Sequence, residues 1–274
     1  MDNYGVVGNP VSHSKSPLVH KLFAEQTGQQ LHYSTFFVEP DNLEKALAEL
    51  QSQGIKGVNI TLPFKRKAFA LVDTLSERAQ RAEAINTIMF NEDGTRFGDT
   101  TDGVGLVKDI IVNQEFLITK KRVLVLGAGG AVRGIIDSLL SEKPKEIIIA
   151  NRTESKAVAL AEEFGIQACE LSLLENNSFD LVINGTSGSL QGEMLDLPGS
   201  ILKKGALCYD MFYGQGQTPF LRWAAEQDAA YCIDGLGMLV EQAAESFFIW
   251  RNVKPNTAKV LAALKENSEV AEII

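Results

Sequence analysis

The segment RVLVLGAGGAVRGIIDSLL, residues 122–140, decides the fold. Residues 123–126 are apolar at every position, which marks a strand buried on both faces rather than one facing water. A Gly/Ala-rich turn follows, then a helical pattern. Strand, glycine turn and helix in that order are the setting of a dinucleotide-binding turn. Gly127 permits the tight turn. Gly129 and Gly130 remove Cβ atoms where backbone must approach a pyrophosphate, and Ala128 and Ala131 complete the loop. The helix start adds unpaired N–H groups and a partial positive charge. Val132 stands where the usual pattern has glycine or alanine, so the match is imperfect, and a purely structural turn is the competing reading.

The strand that follows, EIIIAN at 146–151, separates the two dinucleotides. An NAD site wants an acidic residue at the end of that strand, to accept the ribose hydroxyls. Instead come Asn151, Arg152, Thr153 and Lys156, with no acid before Glu154. Arg152 can make a planar contact with a 2′-phosphate, and Thr153 and Lys156 add a donor and a charge. The expected cofactor is NADP. Thr153 is also expected to cap a helix over 154–164.

The same alternation runs through the rest of the chain. Apolar runs at 4–8, 32–38, 57–61, 87–90, 180–185, 206–211 and 229–233 read as strands. Helical patterns fall between them. PLVHKLFAEQTG carries proline at its start and glycine at its stop, and DNLEKALAELQSQG spaces Leu43, Leu47 and Leu50 along one face. The whole is an α/β protein with mostly parallel sheets covered by helices. The pattern occurs twice, before and after about residue 102, so two domains facing a cleft are expected. The last helices, 236–251 and 256–267, could belong to either.

Composition narrows the partners. The chain has 26 Lys+Arg against 35 Asp+Glu, a net charge of −9, which disfavours nucleic acid. No apolar run approaches the ~20 residues that span a bilayer, so no membrane partner is expected. Cys169, Cys208 and Cys232 have no metal-ligand spacing and are odd in number, which fits a reducing cytoplasm and no metal. A small anionic ligand stays compatible with this charge, since a local patch can oppose the global one.

The first half supplies such a patch. In SHSKSP, Ser14 and Ser16 offer two hydroxyls beside a helix start, suited to a carboxylate, and Ser16 is expected to cap that helix. His13 is a loop histidine without an evident carboxylate partner, and His20 and His32 carry no expected role. Asn59 and Thr61 end a strand on the side where open sheets bind ligands. Pro63 then breaks the chain and presents Lys65, while Arg66 and Lys67 read as solvent charges. Asn86 precedes the strand at 87–90, and GDTTDG sets Asp99 and Asp102 at the junction of the halves, where Asp102 can also start a helix.

Taken together, SHSKSP, NITLPFK, AINTI, GDTTDG, GAGGAVR, NRT, NGTS, DMFY and GLGMLVEQA resemble the shikimate dehydrogenase family over nearly the whole chain. The resemblance implies a substrate domain of 1–102 plus 237–274 and a Rossmann-like NADP domain of 103–236. It implies reversible reduction of 3-dehydroshikimate to shikimate with NADPH, in aromatic amino-acid biosynthesis. It implies that Ser14 and Ser16 bind the substrate carboxylate, and that Thr61, Asn86, Tyr213 and Gln242 bind the ring hydroxyls or carboxylate. Lys65 and Asp102 become the catalytic pair. Residues 127–131 take the pyrophosphate, and 151–156 the 2′-phosphate end. Thr186, Ser187, Met211, Gly235 and Met238 line the ribose or nicotinamide side, and Glu77 lies near the cofactor. Which of Lys65 and Asp102 gives the proton stays open, as does the oligomeric state, a homodimer included. A quinate/shikimate dehydrogenase, a noncatalytic sensor and a methylene-tetrahydrofolate-type dehydrogenase are the rival readings.

Overall fold

The computed structural model describes residues 1–186, 188, 195–214 and 216–271. The chain divides into two compact units, Met1–Gly105 with Leu239–Ile274, and Leu106–Met238.

The first unit begins with β1 (Asp2–Gly8), α1 (Ser16–Thr27), β2 (Leu31–Phe37), α2 (Leu43–Ser52) and β3 (Ile55–Ile60). It continues with the short α3 (Lys65–Phe69), β4 (Thr74–Leu75), α4 (Glu77–Ala82), β5 (Thr87–Phe90), β6 (Arg96–Asp99) and the start of α5 (Asp102–Lys108). The strands form one sheet in the order β2-β1-β3-β5-β6-β4. Its first three strands are parallel, as the alternation predicts, but β5 runs antiparallel to both β3 and β6. The sheet is still mostly parallel, since β4 also runs parallel to β6, and β5 is the one strand reversed against its neighbours. The cause is local. Only residues 91–95 join β5 to β6, with Gly94 at φ 88° and Asn91 N–H bonded to Thr95 O at 2.9 Å. A connection that short can only make a hairpin.

The second unit completes α5, which runs into a π-helical turn at Asp109–Asn113. It then lays down β7 (Arg122–Leu126), α6 (Gly130–Ser141), β8 (Glu146–Ala150), α7 (Glu154–Phe164), β9 (Gln167–Ala168), β10 (Phe179–Asn184), β11 (Leu202–Asp210), α8 (Pro219–Glu226) and β12 (Tyr231–Ile233). All six strands are parallel, in the order β12-β11-β10-β7-β8-β9. Counted within the unit, this is 3-2-1-4-5-6, the dinucleotide-binding order, with its switch point between β7 and β10. The apolar strands are covered on both faces. Val123, Val125, Ile147, Ile149, Leu181 and Ile183 pack with Val132, Ile135 and Leu160 on one side. Leu124, Leu126, Ile148, Ala150 and Val182 pack with Phe220, Leu221 and Trp223 on the other. Each such buried side chain contributes about 1.5–3 kcal/mol, which explains why these strands need no polar face.

Two helices close the chain, α9 (Leu236–Arg251) and α10 (Thr257–Ala271). The first turn of α9 belongs to the second unit and the remainder to the first. In the first unit, Arg251 ion-pairs with Asp2, and Gln26 and Asn256 exchange hydrogen bonds.

Candidate active site

In the first unit the chain leaves β3 at Ile60 and turns at once. Thr61 N–H donates to Val7 O at 3.0 Å, and Phe64 N–H closes the turn onto Thr61 O at 2.9 Å. Phe64 is buried and anchors the turn, so the next residue, Lys65, has a fixed origin. Its backbone carbonyl accepts the Ile85 N–H at 3.0 Å. Arg66 and Lys67 point elsewhere, to Glu83 at 3.8 Å and to Pro40 O at 2.7 Å. Of the three basic residues only Lys65 turns inward.

The Lys65 ammonium meets the Asp102 carboxyl at 2.6 Å, with the two side chains 13% and 7% exposed. Asp102 is the first residue of α5, and the preceding carbonyl, Thr101 O, accepts the Gly105 N–H. Its second oxygen accepts Asn86 Nδ2–H at 3.0 Å. Asn86 is held by its backbone from both neighbours: Ile60 N–H bonds its carbonyl, and its own N–H bonds Asp99 O. Its side-chain oxygen accepts the Thr101 N–H at 2.8 Å. Its Nδ2 lies 2.8 Å from Thr101 Oγ1, 3.0 Å from Asp102 Oδ1 and 3.1 Å from Gln242 Oε1. The Thr101 hydroxyl also lies 3.4 Å from Gln242 Oε1, so these polar groups are joined in one network. Gln242, on α9, donates its own amide to Leu239 O at 2.9 Å. Gly105 makes this approach feasible, because a Cβ there would stand 2.7 Å from Gln242.

Asn59 is buried beneath these residues with both ends engaged. Its oxygen accepts the Tyr33 hydroxyl at 2.8 Å. Its amide lies 3.0–3.1 Å from Asn86 O, Thr87 Oγ1 and Ser246 Oγ. Ser14 and Ser16 stand together, but not as expected. Ser16 is the first residue of α1 rather than its cap, and Ser14 Oγ accepts the Ser16 N–H at 3.2 Å. Thr61 is half-buried, and Glu77 is exposed in the first turn of α4.

The second unit carries the nucleotide turn. Gly127 adopts φ 107°, and a Cβ on it would press on the Gly185 backbone at 3.1 Å. Glycine is required there on both counts. Gly129 is exposed at the N-cap of α6, and a Cβ on it would meet nothing within 4 Å. Val132 is fully buried, and its Cγ2 sits 2.5 Å from where a Cβ on Gly185 would lie. The close helix–strand packing that a small residue at 132 would give is supplied instead by Gly185. Past β8, Asn151 Nδ2 donates to Thr153 O at 2.8 Å, and Arg152, Thr153 and Lys156 are all exposed. Thr153 holds the N-cap position of α7 but makes no side-chain capping bond, which corrects the expected cap. Thr186 donates its hydroxyl to Asn184 Oδ1 at 2.8 Å. Ser187 lies outside the described residues. Met211 and Tyr213 are half-buried past β11, while Gly235 and Met238 are buried at the start of α9. These residues fit NADP: an open glycine backbone at a helix start, and an exposed guanidinium where an NAD site has a carboxylate.

Three family models match the chain. They are the shikimate dehydrogenase substrate binding domain over residues 6–88, shikimate/quinate 5-dehydrogenase over 110–191, and the shikimate 5′-dehydrogenase C-terminal domain over 235–265. The NADP(+) shikimate dehydrogenase of Nitrosococcus oceani is 51% identical over 98% of this chain and 97% of its own. The chain belongs to the shikimate dehydrogenase family. Among solved structures, an Ael1 enzyme from Pseudomonas putida is 45% identical, with a TM-score of 0.89 over 96% of this chain and 98% of its own. The Thermus thermophilus shikimate 5-dehydrogenase, solved in complex with NADP(H) and shikimate, is 32% identical, with a TM-score of 0.87 over 97% of this chain and 99% of its own.

Within this member of the shikimate dehydrogenase family, the partners of several polar residues near Asn86 and Asp102 escape a reading of the sequence. Asp99 is buried and takes two bonds from the Arg78 guanidinium, each 2.7 Å, plus the Ser76 hydroxyl. Arg78 also reaches Glu245 at 3.3 Å. Ser246 Oγ donates to Gln242 O at 3.1 Å and lies 2.8 Å from Thr87 Oγ1 and 3.2 Å from Thr101 Oγ1. His20 is fully buried, stacked on Tyr33 at 4.2 Å, and neither ring nitrogen has a hydrogen-bond partner. Burial pushes its pKa down to about 3, against a smaller upward pull from Asn59. His13 is exposed. Among the described residues no group of three or more His, Cys, Asp or Glu could hold a metal ion, and no helix is long and apolar enough to cross a membrane.

Proposed function

We propose that Lys65 and Asp102 manage the proton in the family's reaction, the reversible NADPH-dependent reduction of 3-dehydroshikimate to shikimate in aromatic amino-acid biosynthesis. The activity follows from the family; the residue roles are the proposal. When bound, NADPH supplies the hydride. The ketone oxygen then gains negative charge and needs a proton. Lys65 has three N–H donors and spends one on Asp102 at 2.6 Å. The other two are available to the ketone oxygen, and a fixed ammonium there stabilises charge as it develops. Asp102 holds that ammonium in place, and its second oxygen is already engaged by Asn86. Lys65 is therefore assigned as the group that faces the oxygen, and Asp102 as its orienting partner. In the forward direction the ammonium gives one proton to that oxygen and is left as the neutral amine; in the reverse direction the amine takes the proton back from the hydroxyl as hydride leaves the ring for NADP⁺.

Asn86 and Gln242, which share an amide contact at 3.1 Å, and Thr61, which follows β3, are assigned to the ring hydroxyls. The Ser14 and Ser16 hydroxyls are assigned to the substrate carboxylate, and Tyr213 to a further polar group of the ring. Asn59 has its own polar atoms satisfied inside the unit, and it supports Asn86 and Thr87 as well as standing near the substrate side. The glycine turn at 127–131, together with Arg152, Thr153, Lys156 and Thr186, is assigned to NADP, with Met211, Gly235 and Met238 on the nicotinamide side.

The observation that carries this reading is the Lys65 ammonium paired to Asp102 at 2.6 Å, with the other Asp102 oxygen held by Asn86. The test is NADP⁺ reduction by the purified protein, followed by absorbance, with shikimate and quinate each paired with NADP⁺ and NAD⁺. The reading expects turnover to be greatest with shikimate and NADP⁺. Equal turnover with quinate would move the assignment to a quinate/shikimate enzyme, and tight binding without turnover would make the chain a sensor.

A further inference from the structure

The second unit buries an acid that the proposed chemistry does not use. Asp109 is fully buried at the head of the π-helical turn that ends α5. Its Oδ2 accepts the Tyr209 hydroxyl at 2.6 Å. Its Oδ1 accepts Asn113 Nδ2–H at 2.8 Å and Gln114 Nε2–H at 3.3 Å. A Cβ on Gly237 would fall 2.0–2.3 Å from all three carboxyl atoms, so the acid lies directly on the first turn of α9. A carboxyl there is favoured by the dipole of a 16-residue helix. The Met238 N–H approaches the Tyr209 oxygen as well, and burial beside Asp109 holds the phenol protonated, well above its usual range. The same segment is pinned from its other side: Gly235 N–H bonds Phe212 O at 3.0 Å, and a Cβ on Gly235 would strike Met211 O at 2.4 Å. π-turns recur where a helix is bent to serve a site.

We infer that Asp109 and Tyr209 are positioning residues for the nicotinamide end of the cofactor, fixing the Gly235–Met238 segment and, through it, Met211. The inference rests on the assignment of Met211, Gly235 and Met238 to that end. Neither Asp109 nor Tyr209 touches a reacting atom. They set the height and angle of the surface on which the ring lies, and hydride transfer is sensitive to that geometry.

The test compares Tyr209→Phe, Asp109→Asn and the milder Asn113→Ala with the parent protein. The readouts are affinity for NADPH, affinity for 2′,5′-ADP, which lacks the nicotinamide, and kcat with its isotope effect from NADPH deuterated at C4. Tyr209→Phe and Asp109→Asn are expected to lower kcat roughly ten- to a hundredfold and to raise the isotope effect. NADPH affinity should fall while 2′,5′-ADP affinity and the shikimate KM stay within about twofold. Asn113→Ala, which leaves the Tyr209 bond in place, should shift the same quantities in the same direction by about threefold. Equal losses for NADPH and 2′,5′-ADP, or no change in either, would overturn the inference. Met238→Ala separates it from the reading beneath it. If Met238→Ala shows the NADPH-specific loss and Tyr209→Phe does not, the positioning role alone fails. If Met238→Ala leaves NADPH affinity and rate intact, the nicotinamide assignment fails first.

Discussion

Replacing Lys65 by methionine removes the ammonium and keeps most of the stem volume. Two costs follow from the geometry. The first is catalytic. Loss of one charged donor aimed at a developing oxyanion lowers kcat by about 10²–10³-fold, or about 3–4 kcal/mol of transition-state stabilisation. The shikimate KM should change by less than about threefold, because the contact strengthens only as negative charge builds. The second cost is to stability. Asp102 is left nearly buried, and breaking a fully buried pair costs about 3–5 kcal/mol. Here Asn86 still donates to the other carboxyl oxygen, and the site keeps some water access, so about 2 kcal/mol is expected. Steady-state NADP⁺ reduction with shikimate gives the first figure and urea unfolding gives the second. A kcat within threefold of the parent, with KM raised tenfold or more, would refute the reasoning and make Lys65 a ground-state binding residue.

Three further outcomes follow. Arg152→Ala should weaken NADPH roughly 10–100-fold and leave NADH nearly unchanged, since a hydrogen bond to a charged phosphate is worth about 1.5–3 kcal/mol; equal losses would remove the 2′-phosphate assignment. Arg78→Met leaves buried Asp99 without its two 2.7 Å partners and should cost about 3 kcal/mol by urea unfolding while NADPH affinity holds, and an unchanged unfolding midpoint would contradict the structural role. His20, with its pKa pushed to about 3, stays neutral in the folded chain while the unfolded chain takes up a proton below about 6.5. That stability is complete above about pH 6.5 and is lost as pH falls. Between about pH 7.5 and 5 the parent should therefore lose about 2 kcal/mol more than His20→Phe, and equal losses would show that the ring is not buried neutral.

The parts of the molecule written in local patterns were legible in the sequence. The nucleotide turn could be located because strand, glycines and helix are contiguous, and Arg152 could be weighed because it ends that unit's second strand. The inward turn of Lys65 follows from Pro63 and Phe64, its immediate neighbours. What stayed hidden depends on distance along the chain. Arg78 and Glu245 are 167 residues apart, Asn59 and Ser246 are 187 apart, and Asp109 and Tyr209 are 100 apart. No spacing rule connects such residues, and each taken alone reads as a helix-surface polar or a strand residue. The strands β4 and β9 escaped because two residues carry no period, and β6 because its Arg96 and Asp99 mask it as a loop. The antiparallel turn of β5 was readable in principle from the Gly94 hairpin. Ser16 begins the helix instead of capping it because Ser14, two residues earlier, provides the oxygen that accepts its N–H.

The most direct measurement is a crystal structure of the protein with shikimate and NADP⁺ both bound. The account predicts Lys65 Nζ within ~3.2 Å of the ring oxygen on the carbon that gives up hydride, still bonded to Asp102. An ammonium turned away from that oxygen, with another side chain in its place, would contradict it.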